Sequence, residues 1–126
     1  MGRQYPRTQR VRKLLKEEIS RLMLREVKDV RIEGVIVSDV EVSADLKHAS
    51  VYVHVTAAEK DKSDVLDGLT SAAGFIRSRL GRELRLFRIP ELRFVIDRTQ
   101  EKAARISQLL QEIREAGSSA DEEESE

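Results

Sequence analysis

The feature that most constrains the fold is a pair of valine-rich stretches separated by four residues with turn chemistry. In the first stretch, residues 32–43, the apolar positions of one parity are Ile32, Ile36, Val40 and Val42. In the second, residues 48–57, they are Val51, Val53 and Val55. Such alternation predicts two half-buried strands. Because Asp45 can bond the backbone of the short connection ADLK, the strands are predicted to form an antiparallel hairpin.

Helical periodicity lies on both sides of this hairpin. Apolar residues recur at steps of three and four from about Pro6 to Glu26, which predicts an amphipathic first helix. After the hairpin, residues 62–71 and a stretch starting at Gly74 predict two further helices, separated by small residues. Pro90 ends the second of these, and residues 91–97 alternate as a third strand. A weaker apolar stripe predicts a last helix over about 100–116.

The predicted order is therefore helix, strand, strand, helix, helix, strand, helix. A chain of 126 residues suffices for one domain around one core. Amphipathic helices gathered on one face of a small sheet give an α+β sandwich. The last ten residues, GSSADEEESE, are small, polar and acidic. They cannot bury enough apolar surface to order themselves and are predicted to form a disordered tail, 117–126.

The charge is distributed unevenly although its formal sum is zero. Residues 1–31 hold ten Lys or Arg against four Asp or Glu, and residues 71–98 hold seven Arg against three acids. Two basic segments in one small domain indicate a polyanion-binding face, although a solvated helix surface is the alternative for the first. The candidate RNA-binding residues are Arg3, Arg7, Arg10, Arg12 and Lys13 in the first segment, and Arg77, Arg79, Arg82, Arg85 and Arg88 in the second.

The small residues Ala72, Ala73 and Gly74 allow two interpretations. They can form a glycine-assisted kink, because Gly74 tolerates backbone angles that other residues resist. Alternatively, a new helix begins at Gly74 and points free N–H groups outward. In that case a phosphate could dock there, with Arg77 one turn away.

Several chemistries are excluded or disfavoured. The chain has no cysteine, which removes disulfides and thiolate metal sites and favours a reducing cytoplasm. His48 and His54 lack the spacing of a metal site, so no metal or other cofactor is expected. Ser43, Asp45 and His48 superficially resemble a catalytic triad but lack a nucleophile elbow and an oxyanion donor pattern. No apolar stretch is long enough for a signal peptide or membrane helix.

Three segments resemble the ribosome-binding factor A proteins of bacteria. They are VKDVRIEGV at 27–35, VSDVEVSADLKHASVYVHV at 37–55 and SAAGFIRSRLGRELRLFRIPELRF at 71–94. The resemblance covers Arg7 to about Gln111. It implies a type II KH-like domain over 1–98, of order α-β-β-α-α-β, in which an Ala-x-Gly interhelical kink at 72–74 replaces the GXXG loop. A C-terminal helix, 99–116, and the acidic tail would follow. Val30 departs from the proline of many members.

The same resemblance implies a function. Such proteins bind the 30S small ribosomal subunit during late assembly, support 5′-end maturation of 16S rRNA, matter most in the cold and have no enzymatic activity. A small-subunit GTPase is implied as a partner, and a cytoplasmic monomer is expected.

The glycines argue against RNA binding in the manner of ordinary KH domains, because no two of them lie three residues apart. The chain therefore cannot form the GXXG loop with which ordinary KH domains clamp single strands. Binding to folded RNA by charge and shape is the expectation, with strong salt dependence. Two alternatives stay open: a protein adaptor that uses the basic and acidic ends, and a small hydrolase.

Overall fold

A three-stranded sheet and three α-helices account for the regular structure of the described residues. The computed structural model describes residues 6–86 and 88–124, with side chains through residue 117. The mixed α+β class predicted from the sequence is confirmed. In chain order the elements are α1 (Pro6–Arg25), a 3-10 turn (Val30–Ile32), β1 (Val35–Val42), β2 (His48–Val55), α2 (Lys62–Glu83), β3 (Glu91–Ile96) and α3 (Thr99–Glu124).

The sheet has the order β1-β2-β3. β1 and β2 pair antiparallel, with Val40 opposite Val51, so the predicted hairpin is confirmed. β2 and β3 pair parallel, with Val51 opposite Phe94. Parallel neighbours cannot be joined by a tight turn, and α2 provides the crossover between them. The start of β3 therefore lies beside the start of β2, at the end of the sheet that carries the β1–β2 turn.

A β-bulge at Ser38 changes which residues of β1 face the core. The register shifts between Val37 and Asp39, so Ser38 has no partner of its own on β2. Because an extra residue reverses the alternation, Val35 is buried while Ile36 is 53% exposed. The prediction that Ile36 shares a face with Val40 was therefore wrong. Ser38 instead donates its hydroxyl hydrogen to Asp97 Oδ2 at 2.7 Å, and the Tyr52 carbonyl is a second, longer acceptor at 3.2 Å.

The core lies between one face of the sheet and the two helices α1 and α2. The stripe predicted for the first helix is confirmed, since Leu15, Ile19 and Leu22 are fully buried. They follow steps of four and three, which keep one helix face toward the sheet. The other fully buried hydrophobic residues are Val40, Val51, Val53, Val65, Leu69, Ile76 and Leu80.

The two central helices of the prediction are one continuous helix. α2 runs from Lys62 to Glu83 without a break at residues 72–74. The buried positions Leu69 and Ile76 stay in phase across Ala72, which packs against the core, so one stripe serves the whole helix. A glycine inside a helix costs only about 1 kcal/mol relative to alanine, which packing of this length offsets. The helix start predicted at Gly74 was therefore wrong.

The last helix extends beyond its predicted end at residue 116. α3 continues to Glu124, which differs from the predicted disordered tail over residues 117–124. Adding residues to a formed helix avoids the cost of nucleation, and alanine and glutamate are good helix formers. The predicted stripe on α3 is largely exposed: 58% at Ile106, 51% at Leu109, 56% at Leu110 and 67% at Ile113. Residues 125 and 126 lie outside the described residues.

Two glycines of α2 should respond oppositely to alanine. At Gly68 an added Cβ would lie 2.9 Å from Ile32 Cγ2 and 3.1 Å from Arg31 Cβ, whereas at Gly74 it would meet nothing within 4 Å. We expect Gly74→Ala to raise the free energy of unfolding by about 0.5–1 kcal/mol through helix propensity. We expect Gly68→Ala to lower it by about 1–3 kcal/mol through overpacking. Urea unfolding measures both, and destabilisation by Gly74→Ala would contradict the continuous helix.

Asp97 connects β3 to the bulge and to the first turn of α3. Its Oδ1 accepts hydrogen bonds from the hydroxyl and the backbone N–H of Thr99, and its Oδ2 accepts one from Ser38. Hydrogen bonds from the Thr99 hydroxyl, from Ser38 and from the Thr99 N–H lower the pKa of Asp97 to about 2. These donors favour the charged carboxylate, which therefore stabilises the folded state.

The contribution of Asp97 should depend on pH in the acid range. Because its pKa is lowered on folding, its stabilisation is complete above the unfolded value of about 4 and is lost as the pH falls toward about 2. We expect wild type to be more stable than Asp97→Asn at pH 5–7, and the difference to shrink between pH 4 and 2. Denaturant unfolding across this range measures it. A difference independent of pH would show that the carboxylate charge does not contribute.

Candidate nucleic-acid interface

A groove of about 650 Å³ opens where the start of α1, the β1–β2 turn and the segment after α2 meet. Its location follows from the sheet, because the parallel pairing returns the chain to the turn before β3 begins. Its lining combines apolar side chains, most of them buried or half-buried, with basic side chains that are exposed. The apolar residues are Val11, Leu14, Ala44, Leu46, Leu84 and Leu86, and the basic residues are Arg7, Arg10, Lys47, Arg85 and Arg88.

The β1–β2 turn is held by its own polar side chains. Asp45 Oδ1 accepts hydrogen bonds from the Ser43 hydroxyl at 2.6 Å and from the Lys47 N–H at 3.0 Å. These two hydrogen bonds lower the pKa of Asp45, and the bond from the Ser43 hydroxyl contributes more than the bond from the Lys47 N–H. Leu46 has a positive φ of 61° and only 9% exposure, so the turn inserts this side chain under the groove. Ser43 and Asp45 therefore have a structural role in the turn.

Four of the ten predicted RNA-binding residues converge on this groove. Arg7 and Arg10 come from the first turns of α1, and Arg85 and Arg88 come from the segment between α2 and β3. Among the described lining residues, Asp45 and Glu83 are the two carboxylates, against five cations. Lys47 is the basic residue that sequence reasoning missed, because a single lysine in the turn ADLK gives no signal of its own. Lys13 and Arg82 are exposed outside the groove, and Arg3 lies outside the described residues.

Arg12 and Arg77 make contacts within the protein. The Arg12 guanidinium donates to Asp39 Oδ1 from Nη2 at 2.6 Å and from Nε at 3.2 Å, which ties α1 to β1. Arg77 donates to the carbonyl oxygens of Pro90 at 3.1 Å and Ile89 at 3.0 Å. These two carbonyls belong to the segment that carries Arg85 and Arg88. Arg77 therefore orders one wall of the groove from outside it.

Arg79 is also engaged, through an ion pair with Glu26 at the end of α1. Both side chains are largely covered, at 29% and 27% exposure. The Arg79 guanidinium lies 5.5 Å from the centre of the Phe75 ring, within the range of a cation–π contact. Glu26 Oε2 lies 3.8 Å from Arg21 Nη2 and has no hydrogen-bond donor among the described residues. This cluster joins α1 to α2.

The small residues at 72–74 do not form an anion site of the predicted kind. α2 begins at Lys62, and its first N–H groups are capped by Asp61, which accepts from Ser63 N at 2.7 Å and from Asp64 N at 3.3 Å. Gly74 lies inside the helix, so a phosphate-binding helix start is absent from this position. Arg77 points to the loop carbonyls instead.

Within residues 6–86 and 88–124, no cluster of three or more histidine, aspartate or glutamate side chains could hold a metal ion. None of the helices that the structure describes combines the length and apolar character of a membrane span.

A sheet covered on one face by two helices, with a cation-rimmed groove at one end, places the chain among small α+β domains. The chain belongs to the ribosome-binding factor A family, whose sequence model matches residues 7–110. The ribosome-binding factor A of Halothermothrix orenii is 44% identical over 117 residues, which cover 93% of this chain and 96% of that protein. The protein of Caldanaerobacter subterraneus subsp. tengcongensis is 41% identical over 108 residues, covering 85% and 88%.

Solved structures of this family share the fold. The crystal structure of ribosome-binding factor A from Thermus thermophilus superposes with a TM-score of 0.67 at 25% identity, covering 73% of this chain and 97% of that one. A homology model of the Thermus thermophilus protein, as fitted into the cryo-EM map of a complex with the 30S subunit, gives a TM-score of 0.51 at 29% identity. It covers 67% of this chain and 92% of that one.

Arg79 should be required for stability, in contrast to its exposed neighbour Arg82. We expect Arg79→Leu to lower the free energy of unfolding by about 1–3 kcal/mol, because it leaves the half-buried Glu26 carboxylate without its main partner. Arg82→Leu removes the same charge from an exposed position and should change stability by less than about 0.5 kcal/mol. Thermal and urea unfolding compare the pair. Equal effects would show that the Arg79–Glu26 contact contributes nothing to folding.

Proposed function

We propose that this protein is a ribosome assembly factor that binds the immature 30S subunit through 16S rRNA. It assists late maturation of the subunit, including 5′-end processing of that RNA, and has no catalytic activity of its own. The observation that carries the proposal is the convergence of Arg7, Arg10, Lys47, Arg85 and Arg88 from three separate segments on one groove. Family membership and the 30S complex of the Thermus thermophilus protein support it.

The groove suits a phosphate backbone better than a small ligand. Its arginines come from chain segments that the fold holds in place, and their guanidinium groups match phosphate oxygens in geometry. Arg7, Arg10, Arg85 and Arg88 have no hydrogen bond or ion pair with any other described side chain, so they are available to an external anion. Exposed Lys13 and Arg82 extend the positive surface beyond the groove. We therefore assign the primary contacts to the groove residues.

The proposal includes the type II KH-like relationship. The order of elements through β3 agrees with it apart from the central pair of helices, which α2 replaces with one helix. Antiparallel β1–β2 and parallel β2–β3 pairing place the groove at the end of the sheet. We propose a cytoplasmic monomer that matters most in the cold and is released with the help of a small-subunit GTPase.

Charge reversal in the groove tests RNA binding. Arg10→Glu with Arg85→Glu changes two exposed groove residues, whereas the matched control Arg105→Glu with Arg114→Glu makes the same change in charge on α3. We expect the groove variant to lose co-sedimentation with small subunits and the control to keep it. Arg77 is unsuitable for this test because it orders the loop after α2.

Salt dependence adds a quantitative measure of the same contacts. Affinity falls as salt rises, and each phosphate contact that is removed should make the slope of log affinity against log salt shallower by about one. The single variants Arg10→Ala and Arg85→Ala should each show this change. Undiminished binding of the groove variant, or complexes that survive nuclease digestion, would contradict RNA binding. Survival after nuclease would favour the adaptor that uses the basic and acidic ends.

A further inference from the structure

We propose that the groove binds a single unpaired nucleobase of the RNA against its apolar side chains, while its arginines hold the flanking phosphates. This inference rests on the proposed function and specifies which part of the RNA the groove recognises. It is carried by the chemistry of the described lining, which combines five cations with six aliphatic side chains in one concave site.

The apolar part of the lining is the observation that phosphate binding alone does not explain. Leu14, Leu84 and Leu86 are only partly buried, so their side chains present apolar surface to the groove. Val11 and Leu46 also line the groove and are nearly buried, at 6% and 9% exposure. A phosphate gains nothing from contact with aliphatic carbon, whereas a nucleobase buries its apolar face there. The volume of about 650 Å³ is within the range of small-molecule sites.

The arginines contribute to base binding as well as to charge. A guanidinium plane can stack on a base and contact a phosphate. Arg7, Arg10, Arg85 and Arg88 line the same groove as the apolar residues. The aliphatic side chains carry no hydrogen-bonding groups, so contact with them does not select one base over another. Asp45 is already bonded to Ser43 and Lys47, which orients its carboxylate into the turn.

The nucleotide must be unpaired because it contacts the groove through the face of its base. In an A-form duplex the bases are stacked inside the helix and their faces are covered by neighbours. A duplex could reach the arginines around the groove but could not place a base face on Leu14 or Leu84. A bulged, terminal or loop nucleotide can do so. Folded RNA with one exposed nucleotide therefore satisfies both the cations and the apolar surface.

A pair of short RNAs tests this inference on the intact chain. We compare a seven-nucleotide single strand with the same strand in which the central nucleotide is abasic, so that the number of phosphates is equal. By fluorescence anisotropy at low salt, we expect the abasic strand to bind about tenfold more weakly. Leu86→Gln should abolish this difference. The matched control Leu109→Gln, on the exposed stripe of α3, should retain it.

A second measurement covers the case in which Leu86→Gln does not fold. In wild type, the methyl NMR signals of Leu14 and Leu84 should shift with the complete strand and remain in place with the abasic strand. Equal affinity for the two strands, or no methyl shift with the complete strand, would overturn the base site. If the wild-type protein still co-sediments with small subunits in that case, the proposed function stands. If the wild-type protein does not co-sediment with small subunits, the proposed function itself is overturned.

Discussion

The parallel pairing of β2 with β3 is the constraint on which the arrangement of the molecule depends. Two parallel strands that are neighbours need a crossover connection that runs back along the sheet, and α2 forms this connection between β2 and β3. The return brings the segment before β3 to the β1–β2 turn, where Glu91 N donates to the Lys47 carbonyl at 2.8 Å. α1 packs along β1 with its first turns at the same end. Three segments distant in sequence therefore meet at one groove.

The arginines are divided between structure and surface according to where the helices place them. Arg12, Arg77 and Arg79 lie where the elements approach each other, and each has a protein partner. The groove arginines lie past the packed part of α1 and α2, where no carboxylate of the described core elements pairs with them. Charge reversal therefore has different consequences in the two groups. In the first it disturbs packing between elements, and in the second it changes only the field that an approaching polyanion meets.

Much of the fold could be predicted because its signals are local. The stripe of α1 and the alternation of β2 and β3 require only the periods of helix and strand. The phase of β1 could not be predicted, because the bulge at Ser38 depends on contacts with Tyr52 and Asp97, the second 59 positions away in sequence. Gly74 suggested a break in α2 because propensity was weighed without the tertiary packing of Leu69 and Ile76.

The candidate site was predictable in part for a related reason. Clustering of arginines in the sequence identified the two segments, but it could not distinguish Arg79, which faces Glu26, from Arg85, which faces solvent. That distinction requires the position of α1 relative to α2. Lys47 escaped notice because a single lysine in a turn has no pattern, and its role follows only from the parallel return of the chain.

The bulge in β1 also has a consequence for how copies of the protein behave toward one another. β1 is an outer strand of the sheet, and a regular outer strand offers an evenly spaced row of backbone donors and acceptors to any other extended chain. The unpaired residue at Ser38 interrupts that row near its middle, so an incoming strand cannot stay in register past it. The bulge therefore makes the hairpin a poorer template for edge-to-edge aggregation.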